Sequence, residues 1–295
     1  MGYCAWINAR NIVSNDHAVI LSNPVTSEHL QPIFIEKLAS LLGKITLVQI
    51  DHSLATQLYR MGFKVYQLGI ETELELASFN LSGKNRSSLR QWKNKALRSG
   101  ITVEEKKLSE IPQEEISLVS DCWIQRKGGR EMSFLTRPLP DRDEDGVRFF
   151  WARMDGQLIG LAGFDPIYEH GRPVGYYHNF DRLKKEAVNG TSPYILLSAI
   201  EKFRSEKIER VSLGLSPLAG MNSEFNLSGI LKKISELFYR YGEPVYPFKG
   251  NDRHKSKFGG NRKKTYVASN AGWFDTMIAA AIACGLEIRP APVGS

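Results

Sequence analysis

The chain of 295 residues has few cysteines, and their spacing excludes two common stabilising frameworks. Cys4, Cys122 and Cys284 are far apart, odd in number and without the paired spacing of zinc ligands. Neither a disulfide framework nor a zinc site is therefore expected, and no other metal site is predicted. Thiols of this kind are typical of a reducing compartment.

Long apolar runs and targeting segments are also missing. The most apolar stretch, 271–286, is too short to span a bilayer and contains Asp275. The opening residues, MGYCAWINARN, lack the basic start and apolar core of a signal peptide. We therefore expect a cytoplasmic protein without stable membrane insertion, either free or peripheral to the inner membrane. Residues 271–286 are expected to pack on the core, and an interfacial helix on lipid is the alternative.

Several catalytic and cofactor-binding motifs are absent. The sequence contains no G-x-x-x-x-G-K-[ST] phosphate loop, no G-x-G-x-x-G after a predicted strand, and neither H-E-x-x-H nor G-x-S-x-G. It also lacks the R-x-x-G-x-G loop with which acetyltransferases bind the pyrophosphate of coenzyme A. No cofactor is predicted, and an acyl donor would have to be recognised in another way.

Acidic residues are absent from one predicted helix. The segment NLSGKNRSSLRQWKNKALRSG has six lysines and arginines between Lys84 and Arg98 and no Asp or Glu. At helical spacing Leu89, Trp92 and Ala96 share one face, so Trp92 is expected to anchor the helix to the core. A solvated helix usually gains Glu–Lys pairs four residues apart, and this one forgoes them. Both interpretations remain open, a solvated face and an anion-binding surface. The candidate anion contacts are Lys84, Arg86, Arg90 and Lys93.

A second basic cluster lies near the C-terminal end. Residues 249–264 contain seven lysines and arginines and a single acid, Asp252, and they follow an aromatic-rich stretch that includes Tyr246. Basic residues beside aromatics can bind nucleic acid through phosphate contacts and stacking. The alternative is an aromatic core edge followed by a charged surface loop. The candidate contacts here are Lys249, Arg253 and Lys255.

The order of predicted elements indicates an α/β fold. Apolar β-rich runs at 17–22 and 44–50 flank a helical pattern, and two further strands are predicted at 63–68 and 72–77. A hairpin at Asp155-Gly156, a strand, a helix, a strand and a helix over 229–241 form a second series of acyltransferase type. We therefore predict two tandem units, 1–110 and 111–270, followed by a C-terminal helix and tail, 271–295.

The best candidate for a reaction centre is GYYHNFDRLKKEAVNGTSPY. His178, Asn179, Asp181 and Arg182 cluster at the predicted end of a strand. A carboxylate can hold an ammonium group, an arginine can hold a carboxylate or phosphate, and a histidine can move protons near neutral pH. A strand-end loop with satisfied polar groups is the alternative. In SLGLSPLAG small residues would let a ligand approach near Ser216, and a tight turn is the alternative there.

Four segments in register resemble the aminoacyl-transfer domain of the bacterial phosphatidylglycerol lysyltransferases. They are 79–104, 211–220, 237–250 and 254–268, and 123–137, which contains Glu131, is a looser match. The resemblance covers most of the chain. It implies two tandem GNAT-like domains, the first incomplete, and aminoacyl-tRNA as the co-substrate in place of acyl-coenzyme A. It also implies a lipid, peptide or small-metabolite acceptor.

The resemblance also implies roles for individual residues. Asp181 or Asn179 would hold the α-ammonium of the donor, Arg182 would organise the site, and Lys257 would stabilise the oxyanion or the 3′-terminal phosphates. Substrate would also contact His178, Glu131, Ser216 and Tyr246. Transfer RNA would bind Lys84, Arg86, Arg90, Lys93, Lys249, Arg253 and Lys255.

The chain departs from the family pattern at two positions. The lipid enzymes have Asp-Leu-Met-Arg where this chain has Asn179, Phe180, Asp181 and Arg182, and His254 replaces a phenylalanine. The amino-acid specificity is therefore expected to differ, or Asp181 replaces the lost carboxylate. Two other functions stay open: an N-acyltransferase that uses acyl-coenzyme A or acyl-carrier protein, and a non-catalytic RNA- or membrane-binding module.

Overall fold

The computed structural model describes residues 3–9, 17–126, 138–221, 225, 248–272 and 276. Over these residues the chain forms one mixed sheet with helices packed on it. The strands are β1 (Tyr3–Ala9), β2 (His17–Val25), β3 (Lys44–Ile50), β4 (Lys64–Glu75), β5 (Thr102–Glu105), β6 (Arg148–Met154), β7 (Gln157–Glu169), β8 (Arg172–Leu183), β9 (Arg210–Pro217) and β10 (Asn261–Ser269). The helices are α1 (Gln31–Leu42), α2 (His52–Arg60), α3 (Ser87–Arg98), α4 (Gln113–Arg126), α5 (Thr191–Ser205) and α6 (Phe248–Ser256).

The strands follow the order β1-β2-β3-β10-β4-β9-β8-β7-β6-β5 across the sheet. The neighbours β2–β3 and β8–β9 are parallel, and α1 and α5 connect them. The C-terminal strand β10 lies between β3 and β4 and runs antiparallel to both. The predicted mixed α/β class is confirmed, but as a single sheet. Two tandem units are not confirmed, and the boundaries at 110 and 270 remain predictions.

The two strands expected at 63–68 and 72–77 are one strand, β4. The residues between the two predicted segments, 69–71, continue the strand. A Cβ at Gly69 would lie 2.3 Å from the carbonyl oxygen of Ser216 on β9. Gly69 therefore permits a close approach between two strands and does not form a turn.

The segment 249–264 is not a surface loop, because it contains most of α6 and the beginning of β10. The first residues of β10 are Asn-Arg-Lys-Lys, and only Tyr266 and Ala268 in its second half are buried apolar residues. Such a short apolar alternation gives little indication of a strand. The helix predicted over 229–241 lies outside the described residues.

Apolar side chains cover both faces of the sheet. One cluster lies where α1 and α2 pack on β2, β3 and β10, and a second lies under α3 and α5. A third cluster, under α4, occupies the opposite face from the second. Neighbouring residues on β6 show this division, since Phe149 belongs to the third cluster and Phe150 to the second. Over the described ranges no helix combines the length and apolarity that crossing a membrane requires.

An arginine clamp joins β5, β6 and the end of α5. The Arg148 guanidinium donates hydrogen bonds to the carboxylates of Glu105 and Glu206 at distances between 2.5 and 3.0 Å. It also lies 4.7 Å from the ring centre of Phe203 and 5.3 Å from that of Tyr176. Planar stacking and two-pronged carboxylate binding both require a guanidinium, so lysine could not replace it.

We expect Arg148→Met to lower the free energy of unfolding by about 3 kcal/mol, because it leaves two partly buried carboxylates without their cation. Urea denaturation measures this loss. The matched control is Arg172→Met, since Arg172 faces Glu209 at 3.8 Å with side chains 74% and 57% exposed. Such an exposed pair contributes at most about 1 kcal/mol. Equal losses in the two variants would contradict the clamp.

Candidate active site between two diverging strands

The parallel strands β8 and β9 diverge in the middle of the sheet. They pair only where Gly175, Tyr176 and Tyr177 face residues 210–212. Beyond this point β8 continues to Leu183 and β9 to Pro217, but these two described strands no longer pair with each other. The gap therefore opens at the carboxyl ends of adjacent parallel strands, where α/β sheets typically bind ligands.

Helix α6 places a lysine at this gap. Lys255 Nζ donates a hydrogen bond to the carbonyl oxygen of Leu215 on β9 at 2.8 Å, and Asn251 Nδ2 donates to the same oxygen at 3.2 Å. Burial lowers the pKa of Lys255 to about 8, against the smaller opposing effects of the nearby carboxylates of Asp181, Glu71 and Asp252. Lys255 is therefore partly neutral slightly above physiological pH.

Two imidazoles share the surroundings of Asp181. Burial lowers the pKa of His178 far below its usual value; Asp181 opposes this effect, while Lys255 and His254 add to it. Burial likewise lowers the pKa of His254. Both rings are consequently neutral near pH 7. The site thus combines the carboxylate of Asp181, one lysine of lowered pKa and two neutral imidazoles that can donate or accept a proton.

Trp92 of α3 holds three elements around this cluster. The His254 ring stacks on its indole with the ring centres 5.9 Å apart, and Lys257 Nζ lies 4.2 Å from the ring centre. At the start of α5, a Cβ on Gly190 would lie 3.2 Å from the Cβ of Trp92. The expectation that Trp92 anchors its helix is confirmed, because the half-buried indole packs against the second apolar cluster.

Residues 11–269 match the family described as phosphatidylglycerol lysyltransferase, C-terminal. The chain belongs to this family. The phosphatidylglycerol lysyltransferase of Bacillus subtilis is 21% identical over 258 residues, which are 85% of this chain and 29% of that protein. The chain therefore spans about three tenths of the length of this relative.

Two solved structures of this family share the fold. One is the C-terminal domain of a protein predicted to be a lysylphosphatidylglycerol synthetase from Agrobacterium fabrum, with TM-score 0.75, 21% identity and coverage of 97% of this chain and 87% of that chain. The other is L-PGS from Bacillus licheniformis, with TM-score 0.71, 19% identity and coverage of 92% and 84%. At these identities the likeness concerns the fold alone.

The structure places the predicted reaction-centre residues on both faces of β8. Asp181 and Arg182 lie within the strand, paired with β7, and not in a loop after it. The buried guanidinium of Arg182 lies 5.2 Å from the ring centre of Trp123 and 5.4 Å from that of Phe180. Side chains alternate along a strand, so Arg182 points away from Asp181. The role predicted for Arg182 remains a prediction.

The remaining predicted substrate contacts are dispersed. Asn179 lies in a bulge of β8, because the residues on either side of it pair with consecutive residues of β7. Its Nδ2 donates a hydrogen bond to Asp165 Oδ2 at 2.5 Å. Ser216 is fully buried in β9, and its hydroxyl forms no hydrogen bond with the described residues. Glu131 and Tyr246 lie outside the described residues.

The predicted anion contacts divide into exposed and internally bound groups. Arg90 donates to the carbonyl oxygens of Leu81 and Gly83, at 2.5 and 2.7 Å, and so holds the loop before α3. Lys93 pairs with Glu201 of α5 at 2.5 Å. Exposed basic side chains on or beside α3 and α6 are Lys84, Lys95, Arg98 and Arg253.

Arg86, Lys249 and Lys255 complete the predicted anion-binding set. The Arg86 guanidinium lies 5.0 Å from the ring centre of Phe79, and a Cβ on Gly259 would lie 2.6 Å from its Nη2. Burial lowers its pKa. Lys249 is half-buried, and Lys255 lies at the gap. The helical spacing of Asn251, Lys255 and Phe258 could have indicated this inward position.

We expect Lys255→Met to stabilise the fold at pH 7. A pKa lowered from 10.5 to about 8 means that the folded protein binds this proton less tightly than the unfolded chain. The resulting penalty, at most about 3 kcal/mol, is complete below pH 8 and disappears above pH 10.5. Chemical denaturation should therefore give a gain at pH 7 that shrinks across this window.

The Leu215 carbonyl keeps its bond from Asn251 in this variant. The matched control is Lys257→Met, which removes a cation–π contact and should lower stability. Equal destabilisation of both variants at pH 7 would show that Lys255 is not a desolvated lysine.

Proposed function

We propose that the chain transfers an aminoacyl group from aminoacyl-tRNA to a hydroxyl group of a phospholipid. The observation that carries the proposal is the gap between β8 and β9, where the carboxylate of Asp181 acts electrostatically on Lys255, the lysine of lowered pKa. Family membership supports it, because relatives are named phosphatidylglycerol lysyltransferases. Peptides and small-metabolite amines are the alternative acceptors.

The charges at the gap suit the two substrates. The carboxylate of Asp181 would bind the α-ammonium of the donor, and the added positive charge would lower the pKa of Lys255 further. Neutral Lys255 would then accept the proton of the attacking hydroxyl. As the new ester bond forms at the carbonyl carbon, the ester bond to the tRNA breaks and a proton passes to its ribose oxygen. One ester replaces another, so no oxidant or reductant is needed.

Lys257 fits one of its two predicted roles better than the other. Its ammonium lies over the indole of Trp92, whereas Lys255, two residues earlier, reaches the gap. We therefore assign Lys257 to the 3′-terminal phosphates of the tRNA and not to the oxyanion. A cation held on an aromatic ring keeps its charge and can still bind phosphate.

Lys255→Arg tests the proton transfer. The variant keeps a positive charge but has no accessible neutral form, so we expect kcat to fall by about 10²–10⁴-fold. In the unchanged protein, kcat/KM should rise with pH through about 8, the pKa of Lys255 in the free protein. The assay incubates the chain with labelled aminoacyl-tRNAs at low salt, with phosphatidylglycerol vesicles, peptides or amines, and identifies products by mass spectrometry.

Lys37→Arg, at an exposed position on α1 outside the proposed tRNA surface, is the matched control and should leave kcat unchanged. Absence of deacylation and transfer for every aminoacyl-tRNA and acceptor in the panel would refute the proposed function.

The second prediction concerns the tRNA surface. Helices α3 and α6 are adjacent through the Trp92–His254 stack, so we propose that their exposed cations receive the tRNA backbone. We expect the double variant Lys84→Glu/Arg253→Glu to weaken tRNA binding and to reduce the slope of log K against log salt by about 1 per lost phosphate contact. Filter binding between low and physiological salt measures both quantities.

Arg172→Glu provides the control, since Arg172 is 74% exposed on β8 outside the proposed surface. Unchanged affinity and salt slope in the double variant would place the tRNA elsewhere.

A further inference from the structure

Tyr177 lies at the last paired position of β8 before the gap. Alternation along the strand turns its side chain to the opposite face from that of His178. Its hydroxyl oxygen accepts a hydrogen bond from Gln49 Nε2 at 3.2 Å. Neither residue has a part in the chemistry proposed above.

This hydrogen bond connects distant strands. Gln49 is on β3 and Tyr177 on β8, four steps apart in the sheet order. In a flat sheet four steps span about 19 Å, which is more than a hydrogen bond and the two extended side chains can bridge. The sheet must therefore curl here, with β10, β4 and β9 as the floor of a trough that the Gln49–Tyr177 contact crosses.

The backbone at Gln49 departs from regular strand geometry. Tyr266 of β10 pairs with Ile50, and the next residue, Val267, pairs with Val48. Gln49 is therefore the extra residue of a bulge in β3. Its φ of 61° is unfavourable for a residue with a Cβ. Bulges and strained conformations occur preferentially at functional sites, where they redirect side chains.

A second bulge makes room for the phenol ring. Glu71 and Glu73 of β4 pair with Leu215 and Ser212 of β9, so β9 has one extra residue between these pairs. Gly214 in this bulge has a φ of 76°. A Cβ on Gly214 would lie 2.9 Å from the Tyr177 hydroxyl oxygen. The next residue, Leu215, supplies the carbonyl that holds Lys255. Consecutive residues of β9 thus contact Tyr177 and the proposed base.

The floor of the trough is polar and adjoins the gap. The Ser212 hydroxyl donates to Glu71 Oε1 at 2.6 Å and accepts from the Gly214 N–H at 3.1 Å. The carboxylate of Glu71 also influences Lys255 electrostatically. The Tyr177 hydroxyl and Lys255 thus both lie beside the segment 214–215 of β9, at the gap.

We propose that Tyr177 is a further catalytic residue, which donates a hydrogen bond to the carbonyl oxygen of the aminoacyl ester, and that Gln49 is its positioning residue. Since the Gln49 N–H occupies an acceptor position of the phenol oxygen, the hydroxyl proton is directed away from Gln49. A donor fixed in this way stabilises the charge that develops on the carbonyl oxygen during attack. The inference rests on the proposed aminoacyl transfer.

A double-mutant cycle tests both roles. Tyr177→Phe removes only the hydroxyl, and we expect kcat to fall about 100-fold, with KM for aminoacyl-tRNA and Tm little changed. Gln49→Gly keeps the left-handed backbone without strain and should lower kcat about 10-fold without lowering Tm. The double variant should equal Tyr177→Phe alone, because Gln49 acts through the hydroxyl.

Tyr168→Phe, at a 52% exposed tyrosine of β7, is the control and should retain full kcat. A kcat for Tyr177→Phe within twofold of the unchanged protein would overturn the catalytic role. Losses that multiply in the double variant would overturn the positioning role of Gln49. If the unchanged protein turns over no aminoacyl-tRNA, the proposed function fails and this inference falls with it; an active protein with an unaffected Tyr177→Phe variant overturns this inference alone.

Discussion

The indole of Trp92 is the contact on which the arrangement of the candidate site depends. Three elements that are far apart in the sequence meet on it: α3, the start of α5 at Gly190, and α6 through His254, with Lys257 just after the helix. The approach at Gly190 is close because that residue has no Cβ. A smaller or shifted side chain at position 92 would therefore release α6 from the gap between β8 and β9.

The packing of α6 in turn determines the chemistry of Lys255. Phe258, just after the helix, is fully buried in the second apolar cluster, and the His254 ring lies against Trp92. With these residues fixed, Lys255 is directed to the Leu215 carbonyl and away from water. Desolvation then lowers its pKa, so an apolar packing contact produces a proton acceptor.

Local patterns in the sequence predicted individual strands and helices, whereas the strand order depends on pairing between residues that are far apart in the sequence. The strands at 17–22 and 44–50 and the helices corresponding to α3 and α5 were predicted because each carries its own periodicity. The insertion of β10 between β3 and β4 has no local signature. The first half of β10 is charged and lacks the apolar alternation that indicates a strand.

The candidate site was predicted in part for the same reason. Asp181 acts electrostatically on His178, whereas Arg182 occupies the other face because β8 continues to Leu183. The trough residue Gln49 has no motif around it, and only the curl of the sheet brings it to Tyr177. A bulge that redirects one side chain leaves no periodic pattern in the sequence.

The basic helix shows why charge counted along a segment overstates an anion-binding surface. Within α3 no acid compensates the cations, yet Lys93 finds its carboxylate on α5 and Arg90 binds the carbonyls of the preceding loop. Arg86 lies against Phe79 and Gly259. Tertiary partners thus neutralise or bury part of the charge, and the remainder stays exposed at Lys84, Lys95 and Arg98. Because internally bound cations hold the helix in place, their loss would also disturb the exposed ones.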